Sequence, residues 1–174
     1  MTPMMTFSEL HTTAPEIAEP IAGRFRTSGL GMLGTLRRDG SPRVSPIEVA
    51  IHDGRLYVGM MPGSTKFHDV ERDPRISLVT ALADKDDLGG EGKLFGVAAR
   101  ITDAAAAARI LRAAADASGF DPEAVAGSPM YEVLVSGAAW QRVEGDTFVT
   151  TSWSPHDGVR HRRRDGATGA VVDG

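Results

Sequence analysis

At 174 residues the chain has the length of one domain, and 41% hydrophobic with 24% charged residues is the make-up of an ordinary globular protein. A formal net charge of −4 argues against broad nucleic-acid binding, and the absence of cysteine excludes a disulfide framework, a thiolate metal site and a cysteine nucleophile. No basic segment precedes an apolar run, and no apolar stretch approaches the roughly 20 residues of a spanning helix. The expectation is a cytoplasmic protein with no membrane or nucleic-acid partner.

In chain order, residues Met1 to Thr13 are weakly patterned and read as a loose arm. From Pro15 to about Thr27, Ile17, Ile21 and Phe25 recur at four-residue spacing, the period of a helix that buries one face. Pro20 limits its regularity, and Ser28-Gly29 ends it. Leu30 to Leu36 reads as a first strand. Asp39-Gly40 and Asp53-Gly54 are hairpin turns between apolar runs. On the second strand, between those turns, Arg43, Ser45, Ile47, Val49 and Ile51 share one face, and Val44, Pro46, Glu48 and Ala50 share the other. Pro46 donates no backbone hydrogen bond, so its strand is an edge there, carries a bulge, or has its ladder interrupted. Leu56 to Met61 and Arg75 to Ala83 are the third and fourth strands, with a short helix between them.

Asp84 to Gly92 is an acidic, glycine-containing loop, and Lys93 to Thr102 returns as a strand. Asp103 caps an alanine-rich helix running to about Ala117, with Ile110 and Leu111 toward the core. Phe120 to Pro129 is a connector. Tyr131 to Val143 and Thr147 to Trp153 form a last hairpin, and a basic tail with Arg160-His161-Arg162-Arg163-Arg164 follows from His156. Strands joined by tight turns are antiparallel. The economical packing is a curled six-stranded antiparallel barrel with flanking helices: residues 1–29 as arm and helix, 30–155 as barrel, 156–174 as tail.

The loop Pro62-Gly63-Ser64-Thr65-Lys66 opens a short helix that Asp73-Pro74 closes. Two hydroxyls and an ammonium beside unpaired helix N–H groups suit an anion such as a phosphate monoester. The same residues also suit plain capping by Ser64, with Lys66 in solvent. Arg43 is either a second cation for that anion or a surface arginine. Trp140 reads as core, and Trp153 either as core or as a cover for a ligand. The basic run is either a solvated tail or an anion clamp. The histidines form no recognisable metal site, and no catalytic triad or carboxylate pair stands out.

Four stretches carry a family resemblance: Gly34-Thr35-Leu36 with Asp39-Gly40, Pro42-Arg43-Val44-Ser45-Pro46, Pro62 to Lys66 with Asp73-Pro74-Arg75, and Trp153-Ser154-Pro155. Their order and spacing resemble the pyridoxamine 5'-phosphate oxidase-like split β-barrel family. The C-terminal substrate motif of the vitamin-making oxidase is not recognisable, so the likeness is to the smaller flavin- and deazaflavin-binding branch. The resemblance implies a homodimer with cofactor at the subunit interface, the ring against the second strand and the phosphate at the loop before the short helix. Carried onto this sequence, the implied cofactor residues are Arg43, Val44, Ser45, Pro46, Ile47, Ser64, Thr65, Lys66 and Trp153. The implied function is an FMN-binding oxidoreductase that transfers hydride to a small unsaturated substrate. The alternatives are a reductase using the deazaflavin coenzyme F-420, or a non-catalytic flavin- or haem-binding protein.

Overall fold

A computed structural model describes residues 3–81, 89–119 and 121–172. The N-terminal segment is not a loose arm. Phe7–Thr13 is a helix, α1, started by a capping box in which Thr6 N–H donates to Glu9 Oε2 at 2.7 Å and Glu9 N–H donates to Thr6 Oγ1 at 3.2 Å. Phe7 and Leu10 are buried, and Met5 bridges to Val135. The apolar pair at i, i+3 and the Thr-x-x-Glu cap together signalled this helix. The second helix, α2, spans Pro15–Ser28 and runs through Pro20. It ends as expected at Gly29, whose left-handed backbone (φ 64°) closes the C-terminus.

The barrel strands are β1 (Leu30–Leu36), β2 (Pro42–His52), β3 (Arg55–Gly59), β4 (Arg75–Thr80), β5 (Glu91–Arg100) and β6 (Met130–Glu144). Every pairing is antiparallel, in the order β3-β2-β1-β4-β5-β6, and β3 pairs with β6 to close a six-stranded barrel. Closure over Tyr57 to Gly59 pairs part of the edge that an open sheet of this size leaves free. The long strand β6 belongs to two surfaces. Its start, Met130 to Glu132, faces β3, whereas Ala138 to Glu144 faces β7 (Thr147–Ser154). A bulge between Phe95 and Gly96 sets the bend of the β5–β6 pair. A Cβ on Gly96 would run into the Leu134 carbonyl, so only glycine fits there.

Two further α-helices follow: the short α3 (Thr65–Arg72) between β3 and β4, and the longer α4 (Ala104–Ser118), capped by Asp103 as expected. The core lies between α2 and the barrel. Ile17, Ile21 and Phe25 are at most 2% exposed and share one cluster with Leu33, Leu78, Leu94, Val135 and both tryptophans. Gly92 lets α2 approach β5, because a Cβ there would meet the Ile21 side chain.

The basic C-terminal run is a strand, not a tail. Gly158–Asp165 forms β8, antiparallel to β7, and Val171–Val172 adds a short β9 beside it. The β7–β8 turn is closed by Ser154 Oγ, which donates to Asp157 Oδ2 at 3.0 Å and accepts from the Asp157 main-chain N–H at 3.1 Å. The expected acidic residues Asp84, Asp86 and Asp87, and Phe120, lie outside the described residues. No helix among the described residues is long and apolar enough to cross a membrane.

Candidate functional site

The alternation read from the sequence holds on β2. Ile47 and Val49 are buried, and Val44, Pro46 and Glu48 are exposed on the other face. That places Arg43 on the inward face, where a guanidinium needs a partner. The partner is Asp69 on α3. Asp69 Oδ2 accepts from Arg43 Nε at 2.6 Å and from Thr35 Oγ1 at 3.0 Å, and Arg72 Nη2 lies 3.4 Å from Oδ1. Thr35 and Asp69 are 3% and 4% exposed. Burial pulls the Asp69 carboxyl upward. Hydrogen bonds from Arg43 and Thr35 and the arginine charge outweigh it, so the group sits below the usual carboxylate range. Arg72 also donates to the Leu36 carbonyl, which ties α3 to the end of β1. From the other side, Glu71 accepts from Tyr131 Oη at 2.7 Å and from Arg100 Nη1 at 2.7 Å, bracing α3 against β5 and β6.

These contacts frame a cavity of about 470 Å³ between the β1–β2 turn and the start of α3. Its lining includes Arg37, Arg38, Arg43, Thr65, His68 and Arg72, with Asp39 and Asp69 as its carboxylates. Four guanidiniums against two carboxylates leave the cavity net positive. Among the described residues the Arg43 guanidinium is engaged only through Nε, so its terminal nitrogens remain as donors. A larger cavity of about 600 Å³ lies between α4 and residues 126–130, but it holds none of the implied cofactor residues.

The second feature is the open edge of β2. Strand β3 pairs only with Val49 to His52, so among the described residues Pro42 to Glu48 has no strand on that side. The Val49 N–H donates to the Gly29 carbonyl. Main-chain groups alternate along a strand, so those of Arg43, Ser45 and Ile47 face β1, while those of Val44, Pro46 and Glu48 face the open edge. This is the physical reason a proline is tolerated at position 46: the N–H it lacks would have had no strand partner. Lys66 reaches this edge from α3, and its Nζ donates to the Pro46 carbonyl at 2.7 Å. Burial lowers the Lys66 pKa, and the nearby Glu48 charge partly restores it.

The residues expected to act together are thus sorted by the fold. Arg43 and Thr65 share the cationic cavity, and Lys66 sits one helix position away on the β2 edge. Ser64 is the N-cap of α3, its hydroxyl oxygen accepting from Phe67 N–H at 3.3 Å. Val44 is outward and 66% exposed, Ser45 is half-buried, and Pro46 is exposed beside Lys66. Ile47 is 3% exposed and belongs to the core. Trp153 is also a core residue, 5% exposed on β7 opposite Ala138 and Val159, so within this chain it does not join the cavity. The sequence reading missed Thr35, Asp69, Arg72 and the pair Arg37-Arg38. One signal was available: an arginine on the buried face of β2 requires a carboxylate, and α3 carries Asp69 and Arg72 one turn apart.

A closed six-stranded antiparallel barrel with flanking helices, and a net positive cavity beside its second strand, defines the architecture. The sequence matches the pyridoxamine 5'-phosphate oxidase family over residues 17–142, and the chain belongs to that family. Among solved structures, a conserved hypothetical protein of Mycobacterium tuberculosis superposes with a TM-score of 0.61 at 20% identity, covering 69% of this chain and 81% of that one. ChuZ of Campylobacter jejuni superposes with a TM-score of 0.71 at 12% identity, covering 92% of this chain and 66% of that one. HutZ, described as the haem storage protein of Vibrio cholerae, superposes with a TM-score of 0.57 at 16% identity, covering 72% and 92%. At such identities these likenesses establish the fold. No curated protein matches the chain.

Proposed function

We propose that this protein binds FMN at the cavity beside β2 and acts as an oxidoreductase on a small unsaturated substrate. One observation carries the reading: the net positive cavity holding Arg43 and Thr65 adjoins seven residues of β2 edge that no strand covers. A phosphate monoester needs charge-assisted donors in a fixed place. The terminal nitrogens of Arg43, held in position by Asp69, and the Thr65 hydroxyl meet that need. A planar ring with alternating donors and acceptors needs main-chain partners, and Val44 offers N–H and C=O toward the open edge while Glu48 offers N–H. The outward Val44 and Pro46 side chains supply apolar surface beside them. FMN, when bound, supplies the hydride chemistry. The chain's own work is to hold the phosphate, orient the ring and keep Lys66 at its edge.

The same reading makes the protein a homodimer. Cross-strand pairs place Leu30, Met32, Val44, Val79 and Phe95 on one outer face of β2-β1-β4-β5. Met32, Leu30 and Phe95 are 37%, 46% and 47% exposed. A contiguous apolar patch of this kind marks an interface. A second copy over it would also wall the ligand edge.

The test is fluorescence titration of the purified chain with FMN and, side by side, with the deazaflavin coenzyme F-420, whose phosphate suits the same cavity. Saturable binding of FMN at one site per subunit supports the reading, and preference for the deazaflavin replaces the cofactor while keeping the site. Binding of neither overturns it. A haem-binding role is the second reading. It is favoured by the HutZ likeness together with His68, an imidazole lining the same cavity. A Soret shift on haemin titration that is lost in His68→Ala would establish it.

A further inference from the structure

The C-terminal strand carries a second device, independent of the cavity. On β8, Arg160, Arg162 and Arg164 share one face with Ser152, Thr150 and Phe148 of β7, their cross-strand partners. Alternate residues of a strand stand ~6.7 Å apart, so the three guanidiniums form a regular row. The carboxylates nearby are spent at its ends and on the other face. Asp157 pairs with Arg160, and Glu144 pairs with Arg163 and Arg142. Arg164 donates to the Gly169 carbonyl, and among the described residues Arg162 has no ion-pair partner.

The edge of this strand is open where the row is. β9 pairs only with Arg163 and Arg164, and among the described residues no strand other than β7 pairs with Gly158 to Arg162. The phase of the backbone follows from Asp165, whose N–H donates to the Ala170 carbonyl on the β9 side. By alternation the N–H and C=O groups of His161 and Val159 point out of the same edge, unpaired by any strand. An exposed edge of this kind accepts an added strand. Self-pairing of two β8 strands would set arginine against arginine, which is destabilising.

We infer that the open edge of β8 is a docking site for an extended acidic peptide segment, added antiparallel, with carboxylates at alternate positions. In that register the peptide residues opposite Arg160 and Arg162 have side chains on the arginine face, at non-hydrogen-bonded positions where side chains lie closest. The intervening residues exchange main-chain hydrogen bonds with Val159 and His161. Charge supplies attraction and the strand edge supplies register.

The experiment uses the full chain and a fluorescein-labelled Thr-Glu-Thr-Glu-Thr-Glu peptide, read by anisotropy. The expected result is saturable binding that weakens at least about tenfold in Arg160→Glu/Arg162→Glu and about tenfold when the peptide threonine nitrogens are methylated. The methylated peptide keeps its charge and leaves the protein unaltered, so it tests the edge without any risk of misfolding. Three outcomes overturn the inference. They are no saturable binding up to about 1 mM, equal binding of the methylated peptide, and inorganic polyphosphate binding as tightly as the peptide, which would make the row a general polyanion patch.

Discussion

Asp69 on α3 and Arg43 on β2 are joined through a single carboxylate oxygen, which also accepts the Thr35 hydroxyl. This contact holds the short helix to the barrel and aims the arginine at the cavity. Asp69→Ala leaves a three-quarters buried guanidinium without its carboxylate. The expected loss is about 2–4 kcal/mol of stability, read by urea denaturation. Asp69→Asn, which keeps the shape and the Thr35 contact, is expected to lose less. An alanine variant as stable as the parent would show that the network carries no weight.

The cavity reading separates residues that the sequence had grouped. Arg43→Ala is expected to weaken FMN binding by roughly 10- to 100-fold, the scale of one lost charge-assisted pair. Lys66→Ala is expected to weaken it by a similar factor through loss of the cation at the β2 edge. Ser64→Ala is expected to leave affinity nearly unchanged and to cost about 1 kcal/mol of stability, because Ser64 works as a helix cap. Titration and thermal melts on the three variants distinguish the roles. A Ser64 variant that loses affinity without losing stability would reverse the assignment.

Stability is expected to fall on the acid side. Asp69 is held below its ordinary range as described, and a hydrogen bond from the Arg75 side chain chiefly lowers Asp73 to about 2. A carboxyl whose folded pKa is depressed contributes fully above its unfolded value of ~3.9, and the contribution is lost as pH falls through the folded value. Melting temperature should therefore decline from about pH 4 toward pH 2. Asp73→Asn should flatten part of that decline. Asp73 is three-quarters buried and Arg75 is largely exposed, so its share is expected to be the smaller one.

The apolar outer face makes a prediction about assembly. Met32→Glu with Phe95→Glu places two charges on the proposed interface, at side chains that are already exposed in the single chain. The pair is expected to give a folded monomer by light scattering, with FMN affinity reduced because the ligand edge loses its wall. A variant that stays dimeric would move the interface elsewhere.

The strand and helix pattern was readable because it is local. Hydrophobic period, Asp-Gly turns and the Asp103 cap act over a few residues, and they placed α2, β1 to β7 and α4 within a few positions. The Thr-x-x-Glu cap of α1 was equally local, yet a short helix with two apolar residues makes a faint pattern. The β8 strand was hidden for a different reason. Five basic residues in succession look like solvent-exposed tail, and only pairing with β7 makes them a strand.

The sequence by itself determined the antiparallel barrel, the family resemblance, the two faces of β2 and the anomaly of Pro46. Only the tertiary structure decided which residues meet. Asp69 lies 26 positions from Arg43, and Thr35 lies 34 from Asp69. Nothing in local periodicity encodes such a contact. Closure of β3 on β6 leaves the start of β2 uncovered, and that geometry alone explains the proline, the reach of Lys66 and the position of the cationic cavity. Trp153, which local motif placed near a ligand, is drawn instead into the core, because the β7 face it occupies packs beneath α2, where burial of a large aromatic is most favourable.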